Sequence, residues 1–138
     1  MIVSLYGPNH DNPEFYIELE EWINETGSEN IVIGGDWNLV LDFTLDCCNY
    51  KHCNNTKAKE QVEHLIIKLD LVDIWREIYP ETRRYTWRGK TPPQQSRLDF
   101  FFSDFRFIIH FSDRCRYKGW LQNRSFHDHT DFDVRERV

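Results

Sequence analysis

The run Ile31-Val32-Ile33-Gly34-Gly35-Asp36-Trp37-Asn38 constrains this chain most. Three β-branched apolar residues in a row read as a buried strand, placed over residues 30–34. The two glycines then end it and let another backbone or a ligand come close. If the chain stays extended, Asp36 and Asn38 point to the same side, because side chains alternate along a strand. A carboxylate and an amide at the exit of a buried strand can together handle a hard cation, a water and a phosphate. The same residues also fit an Asp/Asn turn after a core strand, and this segment alone leaves both readings open.

The rest of the chain alternates helices with strands. Residues 2–6 read as a strand. Asn12 can cap a helix with Pro13 at its first position, and Gly27 can end it. Phe15, Leu19, Trp22 and Ile23 fall on one face of that helix. Residues 43–55 show little periodicity and read as a loop. A second helix runs from about Lys57 to Leu69, with Val62, Leu65, Ile66 and Leu69 as its buried stripe. Leu71–Ile78 reads as a short helical connection. Tyr85–Trp87 and Arg97–Phe102 read as paired strands, with Gly89 to Gln95 as the loop between them. This pattern predicts an α/β architecture.

At 138 residues, 40% of them hydrophobic and 15% aromatic, the chain suits one small domain with a real core. The opening Met1-Ile2-Val3-Ser4-Leu5-Tyr6 is neither a signal peptide nor a membrane span. Cys47, Cys48, His52 and Cys53 lie close together, but their spacing matches no common metal-ligand pattern. The net charge of −6 argues against a simple nucleic-acid-binding module. Its distribution is less one-sided. From Thr82 to Leu98 stand Arg83, Arg84, Arg88, Lys90 and Arg97 with no acid, so five basic residues and none acidic give +5. That stretch reads either as a solvated basic loop or as a phosphate-binding surface.

Three further segments carry possible chemistry. Ser4-Leu5-Tyr6-Gly7-Pro8-Asn9 is a short strand running into a turn. Ser96-Arg97-Leu98-Asp99-Phe100-Phe101-Phe102 is strand-like, with one acid set among apolar residues. Asp128-His129 stands near the C-terminus. The order of strand-Tyr-x-Pro-Asn, Gly-Asp-x-Asn, Arg-Leu-Asp-Phe-Phe and Asp-His resembles the endonuclease/exonuclease/phosphatase superfamily, whose members share a DNase I-like fold. Gly34-Gly35-Asp36-Trp37-Asn38-Leu39-Val40-Leu41-Asp42, Leu71-Val72-Asp73-Ile74-Trp75-Arg76 and Arg84-Tyr85-Thr86-Trp87-Arg88 look like the endonuclease domain of LINE-type (non-LTR) retrotransposons. The resemblance covers most of residues 3–104 and is weaker after about residue 105.

The resemblance implies a sandwich of two mixed sheets with outer helices, of which residues 1–138 supply only the C-terminal half. The family's N-terminal half, with its metal-ligating Glu, has no counterpart here, which would leave apolar surface exposed. Residues 105–138 diverge from the family. By the same resemblance Asp36 activates or orients the attacking water, Asn38 bonds that water or the phosphate, and Tyr6 contacts the scissile phosphate. Asp99 pairs with the catalytic histidine, His129, and Asp128 sits beside the metal, with Mg²⁺ (or Mn²⁺) as the implied cofactor. Arg83, Arg84, Arg88, Lys90 and Arg97 are the expected DNA contacts, and Tyr85 and Trp87 either stack on bases or sit in the core. The implied partners are DNA and the reverse transcriptase part of the same polyprotein, with no membrane and no small-molecule cofactor. The expected location is intracellular, and the nucleus for an active retroelement endonuclease. Two other readings stay open: a phosphatase or phosphodiesterase of the same fold acting on a small molecule or lipid head group, and a non-enzymatic remnant.

Overall fold

The computed structural model describes residues 1–50, 55–90 and 93–104. His52, Cys53, Asp128 and His129 lie outside the described residues. In chain order the elements are β1 (Ile2–Tyr6), α1 (Pro13–Thr26), β2 (Val32–Asp36), β3 (Cys47–Cys48), α2 (Thr56–Lys68), β4 (Leu71–Asp73), α3 (Ile74–Ile78), β5 (Trp87–Arg88), β6 (Gln95–Ser96) and β7 (Asp99–Asp104). Four strands form a mixed sheet in the order β1-β2-β7-β4. β1 and β2 run parallel, which requires a crossover, and α1 supplies it. β7 is antiparallel to both β2 and β4. The short strands β3, β6 and β5 make a second, antiparallel sheet. Among the described residues no helix is long and apolar enough to cross a membrane.

One face of the four-stranded sheet carries the core. Leu5, Ile33, Phe100 and Phe102 meet Tyr16 and Ile23 of α1 and Val62 and Leu65 of α2. Trp37 is fully buried at the centre. Its ring stacks on Tyr16 at 5.9 Å and meets Phe102 edge-on at 4.9 Å. On the opposite face Ile2, Tyr6 and Phe101 are 86%, 68% and 57% exposed. That face is therefore open among the described residues.

Helix α1 starts and stops where expected, with Pro13 in its first turn and Gly27 in the left-handed conformation at φ 60°. Asn12 holds the cap position, although its side chain makes no capping bond. The buried stripe is rotated from the expected one. Tyr16, Glu20 and Ile23 are buried, while Trp22 is 48% exposed. The rotation is tolerable because the buried polar tips are bonded. Tyr16 Oη donates to Trp37 O at 2.6 Å, and Glu20 accepts from Lys68 and lies 3.3 Å from His64 Nδ1.

Several strand boundaries differ from the sequence reading, among them β3, which lies inside the stretch 43–55 read as a loop, and β5, which is Trp87–Arg88 and not Tyr85–Trp87. Gly34 and Gly35 continue β2 and do not end it, pairing with Phe101 and Phe100. A Cβ on Gly35, at φ 146°, would lie 1.9 Å from Leu5 O, so glycine is what lets β1 lie this close. Residues 71–73 form the edge strand β4, and helix α3 begins only at Ile74, capped by Asp73, which accepts from Arg76 N at 3.3 Å. The strand expected from Arg97 to Phe102 begins only at Asp99 and runs to Asp104, pairing with β2 and β4 in the large sheet. The partner of β5 is instead the preceding Gln95–Ser96, strand β6 of the small sheet.

Candidate active site

The ends of three strands put Tyr6, Asp36 and Asp99 in one row. Tyr6 is the register partner of Asp36 across β1 and β2, and Asp36 is the partner of Asp99 across β2 and β7. Residues in register share a sheet face, here the open one that also carries Ile2, Gly34 and Phe101. Trp37 N–H donates to Leu98 O at 2.8 Å. That bond flanks the Asp36–Asp99 pair and makes it non-hydrogen-bonded, the kind of pair whose side chains stand closest.

Asn38 reaches the same end by another route. The chain leaves the extended conformation there at φ 50°, which asparagine tolerates better than most residues. Asp36 Oδ1 accepts from Asn38 N at 2.9 Å, Asn38 Nδ2 donates to Gly7 O at 2.6 Å, and Asn55 Nδ2 donates to Asn38 O at 3.0 Å. The Asp/Asn turn and the clustering of polar groups thus coexist, with buried Trp37 between them as the anchor. Trp37 points into the core while its two neighbours stay near the surface.

Thr86 was not singled out from sequence, yet its Oγ1 accepts from Leu98 N at 3.0 Å and Asp99 N at 3.3 Å. It ties the segment before β5 to the start of β7. The signal was its place in Arg84-Tyr85-Thr86-Trp87-Arg88, between the basic residues. Beside Asn38 opens a cleft of about 260 Å³, walled by Phe43, Tyr50 and Trp87 and by the amides of Asn9 and Asn55. Trp87 is 40% exposed, so it is not a core aromatic. Burial of the Tyr16 phenol and, next, the negative charge of Asp36 push the Tyr16 pKa well above the ordinary tyrosine value.

Arg83, Arg84, Arg88 and Lys90 are exposed. Arg97 is not available to DNA, a correction to the sequence reading. It is 3% exposed and its guanidinium is committed to two acids. Nε donates to Asp46 Oδ1 at 2.8 Å, Nη2 donates to Asp46 Oδ2 at 3.2 Å, and Nη2 also bonds Asp73. Burial opposes its charge, but Asp73 and Asp46 outweigh that and raise its pKa. Among the described residues no three His, Cys, Asp or Glu converge to hold a metal ion. The row offers two carboxylates, which suits Mg²⁺ when water and phosphate complete the shell. It does not make a tight protein site.

No family model matches the chain. The chain is 27% identical, over 143 aligned positions and 99% of its length, to the transposon TX1 uncharacterized 149 kDa protein of Xenopus laevis. It spans 10% of that protein. Among solved structures it is similar to the 3′-5′ exonuclease NExo of Neisseria meningitidis, with a TM-score of 0.64 and 19% identity over 78% of this chain and 50% of that one. A second Neisseria structure, the 3′ phosphatase NExo bound to product DNA hairpin, gives 0.63 and 18% over 78% and 49%. The endonuclease domain of TRAS1, a telomere-specific non-LTR retrotransposon, gives 0.57 and 20% over 78% and 46%. The chain has a DNase I-like α/β fold, spans about half of those structures, and resembles nucleases and a transposon protein.

Proposed function

We propose that this chain is part of a divalent-metal-dependent DNA endonuclease domain of a LINE-type retrotransposon protein. The row Tyr6–Asp36–Asp99 at one sheet end carries the reading. Phosphodiester hydrolysis needs an oriented water, a counter-charge for the phosphate and help for the leaving oxygen. Asp36 orients the water, with the turn at Asn38 fixing its carboxylate. The exposed Tyr6 phenol contacts the phosphate. Asp99, brought against Asp36, holds the imidazole of His129. Asp128 would help to hold a divalent cation such as Mg²⁺, which would supply counter-charge for the phosphate. Arg83, Arg84, Arg88 and Lys90 grip the DNA backbone, and the aromatic cleft beside Asn38 receives a sugar or base. The TX1 and TRAS1 likenesses favour a retroelement setting, in which the partner is a reverse transcriptase on the same polyprotein and the work is done in the nucleus.

A phosphatase reading draws support from one neighbour, the Neisseria 3′ phosphatase with its DNA product. The exposed basic residues favour nucleic acid over a small head group for either chemistry. Nicking of supercoiled plasmid in Mg²⁺ tests the reading, with the chain alone and within any longer reading frame that carries it. The expected result is EDTA-sensitive nicking in the longer protein that Asp36→Ala abolishes. Undiminished nicking by that variant, or release of inorganic phosphate without nicking, overturns the endonuclease assignment.

A further inference from the structure

Arg76 does two things at once. Its Nη2 bonds the buried Asp46 carboxylate, which also receives Arg97. Its Nη1 faces three backbone carbonyls, those of Tyr79, Pro80 and Thr82, at 3.3, 3.2 and 3.1 Å. The three oxygens belong to the turn closed by Thr82 N–H donating to Tyr79 O at 3.3 Å. Immediately after this turn come Arg83 and Arg84, both exposed. The strap is then tied down again at Thr86, whose Oγ1 accepts from Leu98 N and Asp99 N and whose N–H donates to Ser96 O at 3.0 Å. The basic strap is thus held at its start by Arg76 and at its end by the backbone of Asp99.

We propose that Arg76 is a positioning residue for nucleic-acid binding, setting Arg83 and Arg84 in register with the Asp36–Asp99 pair. This rests on the endonuclease reading above. A guanidinium is needed because its planar fork reaches the carboxylate and the carbonyls on different nitrogens. A lysine ammonium keeps the charge beside Asp46 but not that fork. Arg76 is itself only part-exposed, with 20% of its side-chain surface open. It acts through the strap and makes few phosphate contacts of its own.

The test is Arg76→Lys in the full chain. Binding to a labelled duplex is read by fluorescence anisotropy between about 50 and about 200 mM salt. The expected result is an unchanged far-UV spectrum, roughly tenfold weaker binding at mid-range salt, and a salt slope shallower by about one to two as the strap loses its aligned phosphate contacts. A residue that only stabilised the fold would shift the unfolding temperature and leave the slope alone. Wild-type binding with an unchanged slope in Arg76→Lys overturns this proposal alone. No duplex binding by wild type overturns the endonuclease reading and the proposal with it. If the variant does not fold, an arginine-specific protease on folded wild type decides. Resistance at Arg83 and Arg84 supports the held strap, and rapid cutting there overturns it.

Discussion

Asp36 and Asp99 face each other across β2 and β7 as a non-hydrogen-bonded pair, flanked by the 2.8 Å bond from Trp37 N to Leu98 O. Two carboxylates directly opposite on an antiparallel pair repel each other. A sheet built for stability alone would not place them so, and the arrangement gains sense when a cation or protonated imidazole sits between them. Asp36→Asn and Asp99→Asn are therefore expected to raise the unfolding free energy of the chain by about 0.5 kcal/mol each. Thermal unfolding at low salt checks this, and two destabilised variants would count against the pairing.

The two faces of β7 respond differently to truncation. Phe102 is 1% exposed and touches Trp37, whereas Phe101 is 57% exposed. Phe102→Ala is expected to cost about 3–5 kcal/mol. Phe101→Ala is expected to stay within about 0.5 kcal/mol. Urea unfolding of both variants distinguishes the faces, and equal costs would mean that the open face is covered.

Arg97 and its basic neighbours separate by stability and not by charge. Arg97→Ala leaves buried Asp46 with Arg76 alone and takes the guanidinium partner from half-buried Asp73, and is expected to cost about 3 kcal/mol. Arg83→Ala and Arg84→Ala are expected to leave stability within about 0.5 kcal/mol and each to lower the salt slope of duplex binding by about one.

Stability is expected to fall at both pH extremes for separate reasons. The bond from Lys68, set against burial and aided by His64, holds the Glu20 pKa below its ordinary 4.5. As pH drops below about 4.5 the unfolded chain takes up this proton first, so the link between α1 and α2 weakens. The Tyr16 pKa is raised from 10.0, chiefly by burial. Above about pH 10 the unfolded chain loses that proton first, and stability declines as pH rises. Glu20→Gln should flatten the acid limb and Tyr16→Phe the alkaline limb in pH-dependent melts. Unaltered limbs would show that other groups control them.

Gly35→Ala is expected to cost about 4 kcal/mol or more, since its Cβ meets the Leu5 backbone at 1.9 Å and not a side chain that can move. Circular dichroism at room temperature reads this directly, and a native spectrum with near wild-type melting would contradict the register of β1 on β2.

What the sequence displayed was the periodic part. The strand at residues 2–6 and the helices opened by Pro13 and ended near Lys68 follow from apolar spacing and punctuation, and so does the convergence of Tyr6, Asp36 and Asp99 once each is placed at a strand end. What it hid depends on tertiary partners. Tyr16 and Glu20 look like surface residues until Trp37 O and Lys68 are seen to bond them. Arg97 looks like one more cation of a basic loop until Asp46, distant by 51 residues, is found against it. Gly34 and Gly35 read as strand breakers because sequence does not reveal that Phe101 and Leu5 need their space. Asp128 and His129, assigned roles only through the family resemblance, lie outside the described residues.

The most direct test of the account is a titration of the ¹⁵N-labelled chain with a short DNA duplex in Mg²⁺, followed by NMR. The account predicts amide shifts concentrated at Tyr6, Asp36, Asn38, Thr86 and Asp99 and along Arg83–Arg88, with α1 unaffected. Shifts centred on α1 and α2 with a silent Tyr6–Asp36–Asp99 row would contradict it.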